Sequence, residues 1–313
     1  MISIFYPILE EQSGAEAHRK GLVSGFSEID NVICRNQFSR KESVLFLLDA
    51  IMLGRTPYIR LNSRCLNFNV VVFILSFFRV KYILELNAPS SEDGSKTRFF
   101  EKCIRRASKV VCVSSTLKRH VAHLNSKVIV VANGGRHDVE SAQPTSSHPH
   151  KGQFLFIHNS HWPWQESRGV ISFAEQLAAN DLGLKIIDVA GSINRAQLPK
   201  NVQISIGPLS PDEYVKELRE AMGFYLEYRY LQDQNLGFYG DSLKFRDYWN
   251  TKKPIFISGP AMSWAPNSQD ECHGVFEFDY DYDKISQLPV LEDRYSRTPY
   301  FWRDACRRIL TKA

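Results

Sequence analysis

Strand-like and helix-like segments alternate along nearly the whole of this chain, and that alternation restricts its folds more than any other feature. Short runs rich in Ile, Val, Leu and Tyr at residues 2–7, 58–61, 82–86, 110–113 and 128–131 have strand length. Between them, the stretch opened by Ser13-Gly14-Ala15-Glu16 carries Leu22, Val23, Phe26 and Ile29 at helical spacing. Residues 43–53, 70–78, 97–107 and 116–123 also read as helices. The most apolar of these, 70–78, is expected to be a buried helix. Strands separated by helices pair in parallel, in a sheet covered on both faces.

The pattern breaks once. Residues 141–151, Ser-Ala-Gln-Pro-Thr-Ser-Ser-His-Pro-His-Lys, are polar, hold two prolines and show no apolar period, as a linker does. A second alternation follows, with strands at 154–158, 185–190, 202–206, 224–227, 254–257 and 275–278. Its helices fall at 169–179, 211–221, 242–249 and 284–288, and a final helix at 302–310. At 313 residues the chain also exceeds what one hydrophobic core usually serves. The reading is a domain over 1–140, a linker over 141–151, a second domain over 152–297, and a C-terminal helix over 298–313 that packs back on the first domain.

Composition removes several classes. With 43% hydrophobic residues the chain is globular. Its six cysteines are scattered without a C-x-x-C pair, which disfavours zinc ribbons and thioredoxin-type sites and suits a reducing cytoplasm. The N-terminus lacks a basic region and reaches Glu10-Glu11, unlike a signal peptide. No run is long enough to span a bilayer, and there is no G-x-G-x-x-G for a nicotinamide cofactor. Residues 1–150 hold 20 Lys/Arg against 13 Asp/Glu, whereas the remainder holds 19 against 21. Without an RNA-binding motif or zinc finger, the basic half points to an anionic surface other than nucleic acid. Such a half is most often a solvated face; where it meets a partner, the expectation is an anionic bilayer, met peripherally at its inner face, or a lipid-diphosphate-linked acceptor, through residues such as Arg55, Arg60, Arg64, Arg105 and Arg106.

The most informative stretch runs from Gly237 to Trp249. Gly240 permits a tight turn, Asp241 or Ser242 can cap a helix, and Lys244 falls in its first turn. A lysine at the positive end of a helix is unfavourable unless an anion sits there. Asp247 lies three residues on, on the same face, where a carboxylate can accept hydrogen bonds from two vicinal hydroxyls.

Ser242-Leu243-Lys244-Phe245-Arg246-Asp247-Tyr248-Trp249, followed by Lys252-Lys253-Pro254, resembles the P-L-K-x-x-E-Y-x-x-x-x-K-P signature of retaining GT-B glycosyltransferases of family 4. Ser13 to His18 is similar to the G-G-A-E-x-H loop of that family. Ile83 to Pro89 and Val113-Ser114-Ser115 resemble successive strand ends of its acceptor domain. Val130 to Gly135 resembles its V-x-x-N-G, and residues 154–169 resemble the start of its donor domain. The resemblance implies two Rossmann-like domains facing across a cleft. It implies transfer of a sugar from a nucleoside diphosphate to a glycan, lipid-linked or other hydroxyl acceptor with retention; an inert GT-B module that binds a partner or glycan is the alternative.

Carried over, Lys244 and Arg168 hold the donor diphosphate and Asp247 the ribose. Gly14 lets backbone amides approach the donor, with Gly240, Ser242 and His158 beside it. Asn87 stands where many members carry a histidine, and Tyr239 where they carry the first glutamate of an E-x7-E pair. The nucleotide-sugar is a co-substrate, and no metal or other cofactor is expected. Asp279, Asp281 and Asp283 form overlapping D-x-D patterns, but they lie near the C-terminus and are read as structural. His161, Trp162 and Trp164 are candidates for an aromatic lid, and His18 for a contact from the first helix.

Overall fold

The computed structural model describes residues 1–8, 14–62, 65–87, 97–139, 152–159, 167–227, 243–258, 274–278 and 295–311. The linker segment 141–151 and the acidic run 279–283 lie outside these residues, as do Gly240, Ser242, Tyr239, His161, Trp162 and Trp164.

Two units emerge. The first takes Met1–Gly135 and recruits the C-terminal helix, and the second begins at Arg136. The first holds β1 (Ile2–Tyr6), α1 (Gly14–Ser27), β2 (Val32–Asn36), α2 (Arg40–Ile51), β3 (Thr56–Arg60) and α3 (Leu66–Phe77). It continues with β4 (Ile83–Leu86), α4 (Thr97–Arg106), β5 (Lys109–Cys112), α5 (Ser115–Val121) and β6 (Val128–Val130). Its strands are all parallel, in the order β2-β1-β3-β4-β5-β6.

Side chains alternate across this sheet with the period of two that a strand imposes. Phe5, Ile59, Leu84, Leu86, Val110 and Cys112 join the core under α2–α5, with Phe46, Phe68, Leu75 and Phe100. Ile2, Ile4, Tyr6, Tyr58, Ile83 and Val111 face the other way. That second face is covered by α1 and the C-terminal helix, through Leu22, Phe26, Trp302, Ala305, Cys306 and Ile309. Gly21 and Gly25 of α1 make this approach feasible, because a Cβ on either would collide with Trp302. Gly134, in the segment that follows β6, has the same role: its missing side chain leaves room for the backbone at Phe301 and Trp302.

Two features differ from the sequence expectation. The strand β2 has no counterpart in it, because an edge strand buried only halfway along its length has little apolar signal. The helix expected to be buried is α3, and only one side of it is. Phe68, Val71, Val72 and Leu75 pack inward, while Leu66, Val70, Phe73 and Phe77 are exposed. An all-apolar helix has no polar face to reveal which side meets water.

The second unit contains β7 (Gln153–His158), α6 (Val170–Ala178), β8 (Gly183–Asp188), β9 (Val202–Ile206) and α7 (Pro211–Glu220). It closes with β10 (Gly223–Glu227), α8 (Leu243–Thr251), β11 (Ile255–Ser258) and β12 (Val275–Glu277). These strands are also parallel, ordered β12-β11-β10-β7-β8-β9. Here α7 starts with a capping box between Ser210 and Glu213 and with Pro211 in its first turn. The last helix, α9 (Trp302–Thr311), returns to the first unit, where Lys109 Nζ donates to the carbonyl of Ile309 (2.6 Å). A cation there satisfies an orphan carbonyl at the negative end of the helix.

Candidate functional site

Open parallel sheets bind ligands at the carboxyl ends of their strands, where the strand order reverses. In the first unit that point lies between β1 and β3, and a buried polar network occupies it. Glu85, on the inner face of β4, is 1% exposed. Its carboxylate meets His18 Nε2 (3.0 Å), accepts from the Tyr58 hydroxyl (2.9 Å) and lies 3.5 Å from Arg60. The Tyr6 hydroxyl, at the end of β1, lies 2.9 Å from His18 Nδ1 and accepts from Arg60. The Asn87 amide completes the set: in the orientation that matches its neighbours, its nitrogen donates to Glu85 (3.0 Å) and its oxygen accepts from Arg60. Trp302 of α9 stands edge-on to the His18 ring.

A carboxylate this deep survives as an anion only with several donors around it. Burial alone would push the Glu85 carboxyl up. The charge and hydrogen bond of His18, the Arg60 guanidinium and the Tyr58 hydroxyl nevertheless hold it below the usual carboxylate range. Burial pushes Tyr6 and Tyr58 above the usual phenol range; the Glu85 charge adds to this at both, and at Tyr6 the Arg60 guanidinium opposes it.

In the second unit the order reverses between β7 and β10. Lys244, in the first turn of α8, donates from Nζ to the carbonyl of Ile157 near the end of β7 (2.7 Å). Burial of this amine lowers its pKa to about 7. On β10, Glu227 is 3% exposed and accepts from the Gly169 amide (2.9 Å) and the Tyr225 hydroxyl (3.0 Å). It therefore supplies the N-terminal cap that Gly169, without a side chain, cannot give to α6. The β7–β10 register pairs Tyr225 with Phe156. Continued by two residues, it sets Glu227 beside His158. The loop bearing Arg168 and the helix bearing Lys244 are thus anchored on neighbouring strand ends, with Arg168 exposed to solvent.

Asp247 is buried, and its two oxygens accept from the Arg136 amide (2.9 Å) and the Tyr214 hydroxyl (3.0 Å). Burial raises this carboxyl to about 6 against the pull of those donors. Each oxygen retains a second lone pair. His158 ends β7 with its ring stacked on Phe156 and almost fully buried. Gly14 opens α1, and Asn87 follows β4 directly.

The structure also reassigns residues. Arg60, expected on a basic outer surface, points into the network with Glu85, Tyr6 and Asn87, because the end of β3 faces α1 there. Arg55 is tied to Asp49. Arg105 is exposed beside Glu101, Arg106 is exposed, and Arg64 lies outside the described residues. Glu85 and Glu227 were missed as functional candidates. The available signal was a carboxylate within an otherwise apolar strand, Ile83-Leu84-Glu85-Leu86 and Phe224-Tyr225-Leu226-Glu227. Such residues are rarely buried without a task. The concavities at the opposite, amino edge of the second sheet, one lined by Lys185, Gln203 and Glu217, lie away from these residues.

No protein-family model matches the sequence, and no curated protein is significantly similar to it. Solved structures are similar in fold. An α-glucosyltransferase in complex with UDP and a 13-mer DNA containing a central A:G mismatch has a TM-score of 0.61 at 12% identity. That match covers 90% of this chain and 86% of the other. A glycosyltransferase from Rickettsia africae gives a TM-score of 0.56 at 12% identity, over 88% and 83% of the two chains. Anabaena HepE in complex with UDP-glucose gives 0.55 at 12%, over 99% and 89%. The chain has the two-unit α/β fold of GT-B glycosyltransferases.

Proposed function

We propose that this protein is a glycosyltransferase that moves a sugar from a nucleoside diphosphate to an acceptor hydroxyl, with retention at the transferred carbon. The supporting observation is the placement of Lys244. Its amine is buried at the β7–β10 reversal point, the position where this class of sheet receives ligands, and an anion arriving there would restore its charge. The fold likeness to proteins determined with UDP or UDP-glucose supports a nucleoside diphosphate as that anion.

On this reading Lys244 and Arg168 neutralise the diphosphate as it leaves, together with amides near the starts of α6 and α8. Groups held in place before reaction stabilise developing charge most effectively. The resemblance of the sequence to family 4 assigns Asp247, Gly14, Gly240, Ser242 and His158 to the donor and Asn87 to the reacting sugar. It also assigns deprotonation of the acceptor to the leaving phosphate, so no protein nucleophile is required. With two cations supplied by the chain, a divalent metal is redundant. The acceptor is a glycan or a lipid-linked hydroxyl compound, and the cysteine pattern favours the cytoplasm.

The test is incubation of the full chain with UDP-, GDP-, ADP- and dTDP-sugars, with chelator present. Released nucleoside diphosphate is followed by chromatography and sugar transfer by mass spectrometry. Turnover with at least one donor, lost in Lys244→Met and reduced in Arg168→Met, is expected. Absence of turnover together with absence of calorimetric binding to any of the nucleotides would sink the proposal. Activity that vanishes in chelator and in an Asp279/Asp281/Asp283→Asn variant, and returns to the wild type with manganese, would overturn metal independence.

A further inference from the structure

The outer face of the first unit has a feature that sugar transfer does not require. On α3, Leu66, Val70, Phe73 and Phe77 recur at intervals of four, three and four residues, and all four project into solvent. Phe77 is 73% exposed, Leu66 70% and Phe73 61%. The neighbouring helix α2 adds Val44 and Leu48, and the turn after it adds Met52, 73% exposed, and Leu53. Phe78 extends the strip past the end of α3. With large side chains of about 150–250 Å2 each, the exposed strip amounts to roughly 1,000 Å2, against a few hundred on an ordinary monomer. Folding does not need these residues to be apolar, since the core is filled from the opposite sides of the same helices.

Charge identifies what covers it. Between Phe38 and Lys81 there are seven Lys/Arg and two Asp/Glu. Both acids are neutralised within the unit, Glu42 by Arg35 and Asp49 by Arg35 and Arg55. Arg40 and Lys41 are exposed at the start of α2, and Arg79 and Lys81 are exposed just beyond α3. Each helix returns the chain from the end of one parallel strand to the start of the next, α2 from β2 to β3 and α3 from β3 to β4, across one face of the sheet, so they run in the same direction. The strip therefore has cations at both ends, about 18 Å apart for a helix of this length. A twofold contact between two copies sets cations against cations, whether the helices meet parallel or antiparallel. A surface that is apolar within and negatively charged at its boundary satisfies both components. No described helix is long and apolar enough to cross a membrane, and a short helix of this kind lies in the interfacial plane.

We infer that the exposed faces of α2 and α3 form a docking surface for an anionic lipid bilayer, with the apolar strip entering the acyl boundary and the four cations meeting headgroups. Docked in this way, the helix axes lie along the membrane and the carboxyl edge of the first sheet opens sideways, parallel to the lipid surface. The inference rests on α2 and α3 alone and stands or falls independently of the transferase reading.

It is tested by sedimentation of the full-length protein with phosphatidylcholine vesicles, with and without phosphatidylglycerol, and by sedimentation velocity without lipid. The wild type should pellet with the anionic vesicles, less so at high salt, and remain monomeric without lipid. Phe73→Ser/Phe77→Ser should weaken vesicle binding by at least about tenfold, because two apolar side chains no longer leave water. Arg79→Glu/Lys81→Glu should do the same on anionic vesicles. Met52→Ser/Leu53→Ser, in the turn after the other helix, is the control for an unexpected folding defect in the phenylalanine variant. Equal recovery with neutral and anionic vesicles, wild-type binding by both serine variants, or a lipid-free dimer dispersed by those variants would each overturn the inference.

Discussion

Raising the pH from 7 to 9 should weaken nucleoside diphosphate binding by discharging Lys244. Its amine has a pKa of about 7 because burial disfavours the ammonium ion. At pH 7 about half of the molecules carry the charge, and at pH 9 about one in a hundred, a decrease of about 50-fold in the binding-competent form. A bound diphosphate reverses the balance. A unit charge about 4 Å away contributes on the order of 4 kcal/mol at an effective dielectric of 20. That suffices to keep the amine protonated through pH 9 in the complex. Affinity should therefore fall by about 50-fold over this range, and binding at pH 7 should take up about half a proton. The nucleotide contributes little, since a terminal phosphate is already ionised above a pKa of about 6.

The assay is isothermal titration calorimetry with UDP and GDP at pH 7, 8 and 9, in buffers of contrasting ionisation enthalpy. Lys244→Arg, whose guanidinium keeps its charge, should flatten the profile, and Lys244→Met should bind weakly at every pH. A wild type with pH-independent affinity and no proton uptake, or a Lys244→Met variant that retains the slope, would refute the assignment of the anion to this amine.

Two further outcomes follow from the buried carboxylates. Asp247 titrates at about 6 in the folded protein and near 4 when unfolded, so the folded state holds the extra proton between those values. Stability should fall as pH rises from 4 to 6, by on the order of 2 kcal/mol, and level off above. Asp247→Asn should remove that slope in urea unfolding at successive pH values; an unchanged slope would contradict the account. For Glu85, whose pKa is depressed, the contribution is present above its ordinary value and is lost as pH falls through the folded value. Glu85→Gln leaves His18 and Arg60 without their anion and should cost about 3–5 kcal/mol at pH 7. A loss under 1 kcal/mol would mean that the network is wet or loosely formed.

Much of the fold could be read from the sequence because its signals are local. A strand buried on both sides is mostly apolar, as in Ile2–Tyr6, where Ser3 alone interrupts the run before Tyr6, and a serine at a helix start is a local signal too: Ser114 caps α5 by accepting from the Leu117 amide. The helix start holding Lys244, and the placement of Asp247 three residues on, follow from helical periodicity alone. The face to which those side chains are committed does not. Asp247 meets Tyr214 and Arg136, which lie 33 and 111 residues away, and no local pattern encodes such partners.

The same distinction separates the two sides of α3. Its composition made it a helix, but which residues meet the sheet depended on where β3 and β4 place it. The network around Glu85 depended on tertiary structure to the same degree. Tyr6, the pair Tyr58 and Arg60, and Glu85 itself come from three strands that meet only because β1, β3 and β4 are neighbours in the sheet. The sequence alone determined the alternation of strands and helices, and hence two parallel α/β units, because each signal resides within a few consecutive residues. Strand order, the return of α9 over Gly21 and Gly25, and the pairing of buried charges were decided only by the tertiary structure, because each depends on contacts between segments whose separation along the chain carries no periodic mark.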